Sequence, residues 1–293
     1  MHPTQIVVLA FGVAAIFGTL LLSLPLATAE GNTTSFVTAF FTAVSAVCIT
    51  GLTVVDTATH WSGFGQFVIM LLIQLGGLGI VSFATLLGLL ISGRISLRDR
   101  MNTLSEAKIV GADNVPKLLS RILLVYFGFE LVLACYLTLR LHLSYGQELL
   151  SSLWHGTFHA ISAFNNGGFS LYTDSMVGFS QDMFFIAPVM LAVIVGGLGF
   201  PVLIELHERL WRLRLQPGGK GRRFSLHTRL TLWMTVTLLV IGALFIGAME
   251  WNNPGTLGGL NTWDKFVNTM FASVMPRSGG LNSVDISQMD PAT

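Results

Sequence analysis

Charged residues are scarce in this chain. Asp, Glu, Lys and Arg make up 11% of its 293 residues, and apolar residues make up 52%. A soluble domain carries about 25% charged residues, so this composition indicates a protein embedded in a membrane. The 16 basic and 15 acidic residues nearly balance, and nothing in this charge indicates a nucleic-acid partner or an acidic substrate.

Cysteine is also scarce, since the chain holds only Cys48 and Cys135. Cys48 lies in a polar turn and Cys135 in an apolar run. Two such thiols support neither a framework of disulfides nor a cysteine metal cluster.

Long apolar runs, by contrast, are frequent. About 20 apolar residues are needed to cross a hydrocarbon core of roughly 30 Å. Five segments meet this length, and they are residues 4–29, 61–93, 122–139, 183–204 and 230–249. Pro188 and Pro201 are the expected kink points of the fourth. The first could also be a cleaved signal peptide, but no basic region precedes it.

Three shorter apolar stretches, at 35–47, 149–164 and 265–275, are too short to cross. Each leads into a polar turn that contains glycine. We expect re-entrant helices here, because non-helical backbone is tolerated at membrane depth only inside protein or along a water-filled path.

The three turns resemble one another. Gly51, Gly168 and Gly280 align, at separations of 117 and 112 residues. A repeat of that length is a whole supersecondary unit. We therefore predict an all-α membrane protein of span, pore helix, filter turn and span. The predicted parts are a first repeat at 1–93, a loop at 94–114, a second repeat at 115–204, a loop at 205–229 and the first half of a third repeat at 230–293.

The turns contain no Asp or Glu, which leaves backbone carbonyls as the ligands for a dehydrated monovalent cation. Glycine reaches the backbone angles that align such carbonyls without strain from a Cβ. The candidate ion-binding residues are Cys48, Ile49, Thr50, Gly51, Asn165, Asn166, Gly167, Gly168, Arg277, Ser278, Gly279 and Gly280.

Three acidic residues follow the turns, and they are Asp56, Asp174 and Asp285. They either concentrate cations at the outer mouth of a pore or are ordinary solvated loop residues. Both interpretations stay open.

Basic residues predict the orientation. Of the 16 Lys and Arg residues, 13 lie in the connections 94–121 and 209–229. The positive-inside rule places these connections, and with them the N-terminus, in the cytoplasm. The turns then open to the outside of a multi-pass plasma-membrane protein.

Several other residues have two interpretations. The repeated Gly-Gly-Leu-Gly at 76–79 and 196–199 indicates close packing, either between ordinary helices or beside a pore segment.

Glu130 lies in mid-span, where acidic residues are rare. It is either functional or, as we prefer, the partner of a polar group on another helix. Arg277 would repel a cation, so we expect it to point behind the third turn and brace it.

These motifs carry a resemblance to a known family. Residues 47–56, 164–169 and 276–285, together with 74–79, resemble the pore loops and second span of the Trk/Ktr/HKT superfamily of potassium transporters. The bacterial Ktr type is the more similar branch. The resemblance covers essentially the whole chain.

The resemblance implies a fourfold pseudosymmetric, channel-like fold with one filter segment per repeat and glycines associated with potassium selectivity. It implies channel-like or cation-coupled uptake of K⁺, with Na⁺ as a possible coupling ion and no covalent cofactor. It further implies a homodimer and a cytoplasmic nucleotide-binding regulatory ring of the RCK type. Glycine at position 51, where sodium-preferring plant relatives carry serine, favours K⁺. The repeat spacing places a fourth glycine near residue ~395 of a longer chain, so we expect residues 1–293 to be an N-terminal fragment.

Three alternatives come from other interpretations of the residues. The same fold could carry sodium, or potassium and sodium together. Alternatively, His155 and His159, four residues apart, could place two imidazoles on one helix face for zinc in an intramembrane metalloenzyme. No Glu follows His155 and no third ligand is evident, so we expect no enzyme. A receptor-like membrane protein would explain the spans but not the three turns.

Overall fold

The computed structural model describes residues 3–79, 115–215 and 224–293, and these ranges are almost entirely helical. The α-helices are α1 (Pro3–Leu22), α2 (Phe36–Val47), α3 (Thr57–His60), α4 (Gly63–Leu78), α5 (Val115–Tyr145), α6 (Leu149–Phe164), α7 (Met183–Gly197), α8 (Phe200–Leu215), α9 (Leu226–Glu250) and α10 (Thr262–Val274). A π-helical turn, Met275–Gly279, follows α10. Short 3₁₀ turns lie at Pro25–Ala27, Val177–Phe179 and Ile286–Gln288.

Helix starts are fixed by side-chain caps. Ser35 accepts the N–H of Thr38 at the start of α2, and Ser62 accepts the N–H of Gly65 at the start of α4. Asp182, Ser225 and Asn261 cap α7, α9 and α10 in the same way. Each cap satisfies an N–H that the helix itself leaves without a partner.

Within the residues that the structure describes, two helices are long and apolar enough to cross a membrane by themselves, in the segments Leu123–Tyr145 and Leu226–Glu250. A third span exists if Met183–Gly197 and Pro201–His207 are taken together across a bend of 110°. The predicted fourth span is therefore not one straight helix. Its break falls at Gly199, whose φ is +82°, two residues before the expected kink at Pro201.

Other predicted segments match only in part. α1 and α4 are shorter apolar helices. The end of the predicted second span, after Gly79, and the whole predicted loop 94–114 lie outside the described residues. The predicted loop 205–229 begins as helix, because α8 continues to Leu215.

Each short helix that precedes a turn packs against longer neighbours. α2 packs between α1 and α4, α6 packs against α5 and α7, and α10 packs against α9 and α7. α4 also contacts α6, which joins the first group of helices to the second. This packing brings the C-terminal ends of α2, α6 and α10, and the turns that follow them, to the middle of the structure.

The outward surface of the long helices is apolar. α9 carries exposed Leu230, Trp233 and Leu244, and α1 carries exposed Val8 and Phe17. Large exposed apolar surfaces are unusual on soluble proteins and are expected where lipid is the solvent.

Candidate ion-binding site

Gly168 lies in contact with both Gly51 and Gly280. A Cβ placed on Gly168 would lie 2.8 Å from the Cα of Gly51 and 3.3 Å from the Cα of Gly280. A Cβ on Gly280 would lie 2.9 Å from the Cα of Gly168. All three glycines have a left-handed backbone, with φ of +70°, +72° and +66° in chain order. Both the angle and the crowding disfavour a side chain at these positions.

The first two turns share a brace, a hydrogen bond from a serine hydroxyl to a backbone carbonyl, which was not predicted from the sequence. Ser45 Oγ donates to the carbonyl of Leu52 at 2.7 Å, and Ser162 Oγ donates to the carbonyl of Phe169 at 2.7 Å. The two serines are 117 residues apart, as Gly51 and Gly168 are. The recurrence of serine at the spacing of the repeat could have indicated this shared hydrogen bond.

The backbone of these two turns also matches. Thr50 N–H donates to the carbonyl of Ser45 at 2.9 Å, and Gly167 N–H donates to the carbonyl of Ser162 at 2.6 Å. Ile49 and Asn166, at equivalent positions, both have a φ of +58°. Residues other than glycine rarely adopt this angle, so the surrounding contacts must hold it.

The third turn is built differently. Val274 stands where the other turns have serine, and the backbone forms a π-helical turn closed by a 3.2 Å bond from Gly280 N–H to the Met275 carbonyl. Arg277 is exposed in this turn and donates to Thr235 Oγ1 on α9 at 3.4 Å. The bracing role of Arg277 remains a prediction.

Gly76 on α4 and Gly196 on α7 lie against the C-terminal ends of α2 and α6. A Cβ on Gly76 would collide with the carbonyl of Val47, and a Cβ on Gly196 would collide with the carbonyl of Phe164. Val47 and Phe164 are the last residues of α2 and α6. The prediction of close packing is confirmed at these two glycines, which pack against the C-terminal ends of α2 and α6.

The side chain of Asn165 is held by hydrogen bonds to residues of α4 and α5. Asn165 Nδ2 donates to Glu130 Oε1 at 2.8 Å, and Gln74 Nε2 donates to Glu130 Oε2 at 2.8 Å. Tyr126 donates its hydroxyl to Asn165 Oδ1. The preferred interpretation of Glu130 is confirmed, because it is the hydrogen-bond partner of polar groups on other helices. Cys48, which precedes the first turn as Asn165 precedes the second, is instead exposed.

The three acids after the turns each cap a local turn. Asp56 accepts the N–H of Ala58 at 2.9 Å, Asp174 accepts the N–H of Gly178 at 3.0 Å, and Asp285 accepts the N–H of Ser287 at 2.9 Å. These bonds give each carboxylate a structural role. A role in concentrating cations remains a prediction.

Asp56 is ionised at neutral pH. Partial burial raises its pKa, but hydrogen bonds from Thr173, from the N–H of Ala58 and from Thr59 outweigh that effect and hold the pKa below its usual value. A fixed negative charge therefore lies in the loop that follows the first turn.

The histidine pair does not form a metal site. His159 Nδ1 lies 2.7 Å from the carbonyl of His155, and His159 Nε2 accepts the N–H of Leu171 at 3.1 Å. Both nitrogens of His159 are thus engaged. The two rings are stacked at 6.1 Å, and within the described ranges no three His, Cys, Asp or Glu residues are grouped to hold a metal ion. The zinc alternative is therefore wrong: His159 braces the segment after the second turn.

Comparison with protein families gives one match over the whole chain. A family model described as TrkH, cation transport protein, matches residues 1–293.

Curated relatives are similar over the same length. The chain is 39% identical over 294 residues to the Ktr system potassium uptake protein B of Bacillus subtilis, covering 99% of this chain and 62% of that protein. It is 34% identical over 292 residues to the potassium/sodium uptake protein NtpJ of Enterococcus hirae, covering 100% of this chain and 62% of that protein. The chain thus spans somewhat less than two thirds of the length of these relatives.

A solved structure has a similar fold. The crystal structure of the potassium transporter TrkH from Vibrio parahaemolyticus matches with a TM-score of 0.62 at 16% identity, over 95% of this chain and 52% of that one.

Proposed function

The chain belongs to the TrkH family of cation transport proteins, and we propose that it forms most of a path for potassium uptake across the plasma membrane. In this proposal the ion sheds water and is bound by backbone carbonyls of the three glycine turns. A fourth turn, from protein outside residues 1–293, completes the ring. The relatives are named for potassium uptake rather than for catalysis, which argues against an enzyme.

The contacts of Gly168 with Gly51 and with Gly280 carry the proposal. Three turns from three distant parts of the chain meet at residues that have no side chain and share one backbone angle. Carbonyls on such turns can face a common axis without a Cβ between them. The turns contain no carboxylate that would bind a divalent cation more strongly.

The pore helices add a favourable field. α2 and α6 end directly before the first two turns, and α10 leads into the third. The C-terminal end of a helix carries a partial negative charge from its unpaired carbonyls. Three such ends directed at one region stabilise a cation there without binding it so tightly that it cannot leave.

Transport of potassium together with sodium is the second candidate. It is favoured by the 34% identity to a relative that is named for potassium and sodium uptake. In this version Na⁺ is either a second substrate or a coupling ion. Glycine at position 51 favours the potassium version.

The assembly we propose is a homodimer in lipid, with the N-terminus and the connections 94–121 and 209–229 in the cytoplasm. An RCK-type nucleotide-binding ring is the proposed regulatory partner on that side. In this proposal the positive charge of these connections attracts anionic lipid headgroups or such a partner.

Competition uptake tests the function. The protein expressed from its complete gene should support growth of a potassium-uptake-deficient host at low K⁺, and excess Na⁺ should compete weakly. Uptake no greater than in the empty-vector strain, with the protein present in the membrane, would contradict the proposal. Equal competition by both ions would instead favour the mixed version.

A further inference from the structure

Glu130 is a buried acid that the transport path described above does not use. It lies within the span Leu123–Tyr145 and is 5% exposed. An acidic side chain in a membrane is costly unless other groups satisfy it. Its hydrogen-bond partners include two neutral amides, Gln74 on α4 and Asn165 directly after α6, each at 2.8 Å, and the hydroxyl of Tyr126 on its own helix. Glu130 therefore joins three helices by hydrogen bonds.

Asn165 is the residue that this arrangement holds most completely. Its Nδ2 donates to Glu130 Oε1 at 2.8 Å and to the carbonyl of Ile161 at 2.8 Å, and it lies 3.3 Å from Gln74 Oε1. Its Oδ1 accepts the hydroxyl of Tyr126. Every polar atom of the Asn165 side chain thus has a partner.

Gly77 makes the space for this side chain. A Cβ on Gly77 would collide with Asn165 Oδ1. The pocket for Asn165 thus requires a glycine on α4 as well as a carboxyl group on α5.

The position of Asn165 in the chain gives the anchor its importance. Asn165 directly follows α6, and it comes directly before Asn166, whose φ is +58°, and three residues before Gly168, whose φ is +72°. Such angles are uncommon for residues with a side chain, so contacts with other groups hold this segment. The side chain of Asn165 fixes the start of the turn, and the bond from Ser162 Oγ to the Phe169 carbonyl fixes its end.

The other two turns lack this anchor. Cys48 holds the equivalent position in the first turn and is exposed, and that turn is closed within itself by Thr50 Oγ1 donating to Ser45 Oγ at 2.9 Å. Arg277 holds the position in the third turn and contacts Thr235. Among the described turns, only the second is held by a hydrogen bond to a carboxyl group on another helix.

We infer that Glu130 is a positioning residue that fixes the second filter turn through Asn165 and thereby sets the discrimination between K⁺ and Na⁺. This inference rests on the proposed function. Selection between the two ions depends on the number and spacing of the carbonyls that replace water. A second turn released from Glu130 could draw its carbonyls closer around the smaller ion.

Glu130→Gln is the central variant. It keeps the shape of the side chain but places an NH₂ group where Gln74 or Asn165 already donates, so one buried donor loses its acceptor. In competition uptake by the protein from its complete gene, we expect the K⁺/Na⁺ preference to fall about tenfold, equivalent to about 1.4 kcal/mol.

The double variant Gln74→Glu with Glu130→Gln tests whether restoring the hydrogen bonds also restores the K⁺/Na⁺ preference. It moves the carboxyl group from α5 to α4 and restores complementary donors and acceptors between the two helices. We expect it to recover most of the lost preference. A preference that stays at the Glu130→Gln value in this well-expressed double variant would overturn the inference.

Asp182→Asn is the matched control. It is also a carboxyl-to-amide change in a hydrogen-bonded group, since Asp182 accepts from Arg140 at 2.8 Å, but it lies at the start of α7. We expect lower thermal stability and an unchanged ion preference. An equal loss of preference in Asp182→Asn would reduce the effect of Glu130 to general destabilisation and overturn the inference.

Two further results separate the possible failures. If the unmodified protein shows no K⁺ preference, the proposed function fails; if it does and folded Glu130→Gln keeps the same ratio, only the inference about Glu130 fails. Should Glu130→Gln not reach the membrane, Tyr126→Phe decides, because it leaves the carboxyl group in place and removes a hydroxyl that hydrogen-bonds to both Asn165 and Glu130. An unchanged ratio in Tyr126→Phe would then count against the inference, and a lowered ratio would support it.

Discussion

Thr173 donates a hydrogen bond of 2.7 Å to the carboxylate of Asp56. The two residues are 117 positions apart, the same spacing that separates Gly51 from Gly168. Each lies five residues after its glycine. The bond therefore ties together the loops that emerge from the first and second turns.

Thr173→Val should weaken this tie in a pH-dependent way. Because the folded pKa of Asp56 is below its usual value, the stabilisation is present above the unfolded pKa of about 3.9 and is lost as the pH falls through the folded value. The variant should lose stability at pH 7, on the order of 1 kcal/mol or less for so exposed a group, and should lose less at pH 3. Thermal unfolding in detergent at both pH values measures this; an equal loss at both would contradict it.

Gly51→Ser should lower the preference for K⁺ over Na⁺ in the protein from its complete gene. A Cβ on Gly51 would lie 3.0 Å from the Cα of Gly168 and 3.1 Å from the Gly167 carbonyl oxygen. Both neighbours are backbone atoms, which move less easily than the end of a flexible side chain. The φ of +70° adds strain. Competition uptake is the measurement. Gly128→Ser on α5, with no atom within 4 Å of its Cβ, is the control and should keep the ion preference.

Ser162→Ala should change both stability and selectivity, because it removes the bond to the Phe169 carbonyl within the second turn. Ser273→Ala removes a comparable bond of 2.8 Å, to the Leu239 carbonyl, outside the turns. Each should cost about 1 kcal/mol of stability. Only Ser162→Ala should alter the K⁺/Na⁺ ratio. If both variants altered it equally, the brace would have no special role in the filter.

Orientation can be tested by labelling single cysteines in a background without Cys48 and Cys135. An impermeant thiol reagent should label Thr53→Cys from outside intact cells and should reach Lys220→Cys only after the membrane is opened. The reason is the concentration of basic residues around position 220. Labelling of position 220 from outside would reverse the proposed topology.

Residues 1–293 alone should not restore potassium uptake in a deficient host. Three turns leave one side of the proposed ring open, so an ion there would keep part of its water. Growth at low K⁺, compared with the complete gene at matched membrane expression, is the measurement. Robust growth with residues 1–293 would show that three turns suffice or that copies assemble in another way.

The sequence was informative where a feature repeats. The spacing of Gly51, Gly168 and Gly280 predicts which backbone segments are equivalent, and the structure places Gly168 in contact with the other two. Short apolar stretches ending at the turns predict α2, α6 and α10 closely, because helix length relative to membrane thickness is a local property.

Features that depend on contacts between distant residues were not predictable in the same way. The sequence does not show that Gly77 faces Asn165, so Gly77 looks like a simple packing residue, whereas the structure makes it part of the anchor of the second turn. The π-helical form of the third turn, Met275–Gly279, was likewise not predicted from the sequence.

The shared space at the glycines also limits how these positions can change over evolutionary time. A side chain at Gly51 would occupy the room that a side chain at Gly168 would need, since each hypothetical Cβ approaches the other Cα within 3.0 Å. Once one substitution has pushed the two turns apart, the second meets less resistance, so the free-energy costs should be less than additive. A lineage that loses one of these glycines is therefore freed to lose its neighbour, and the two positions should change together rather than one at a time.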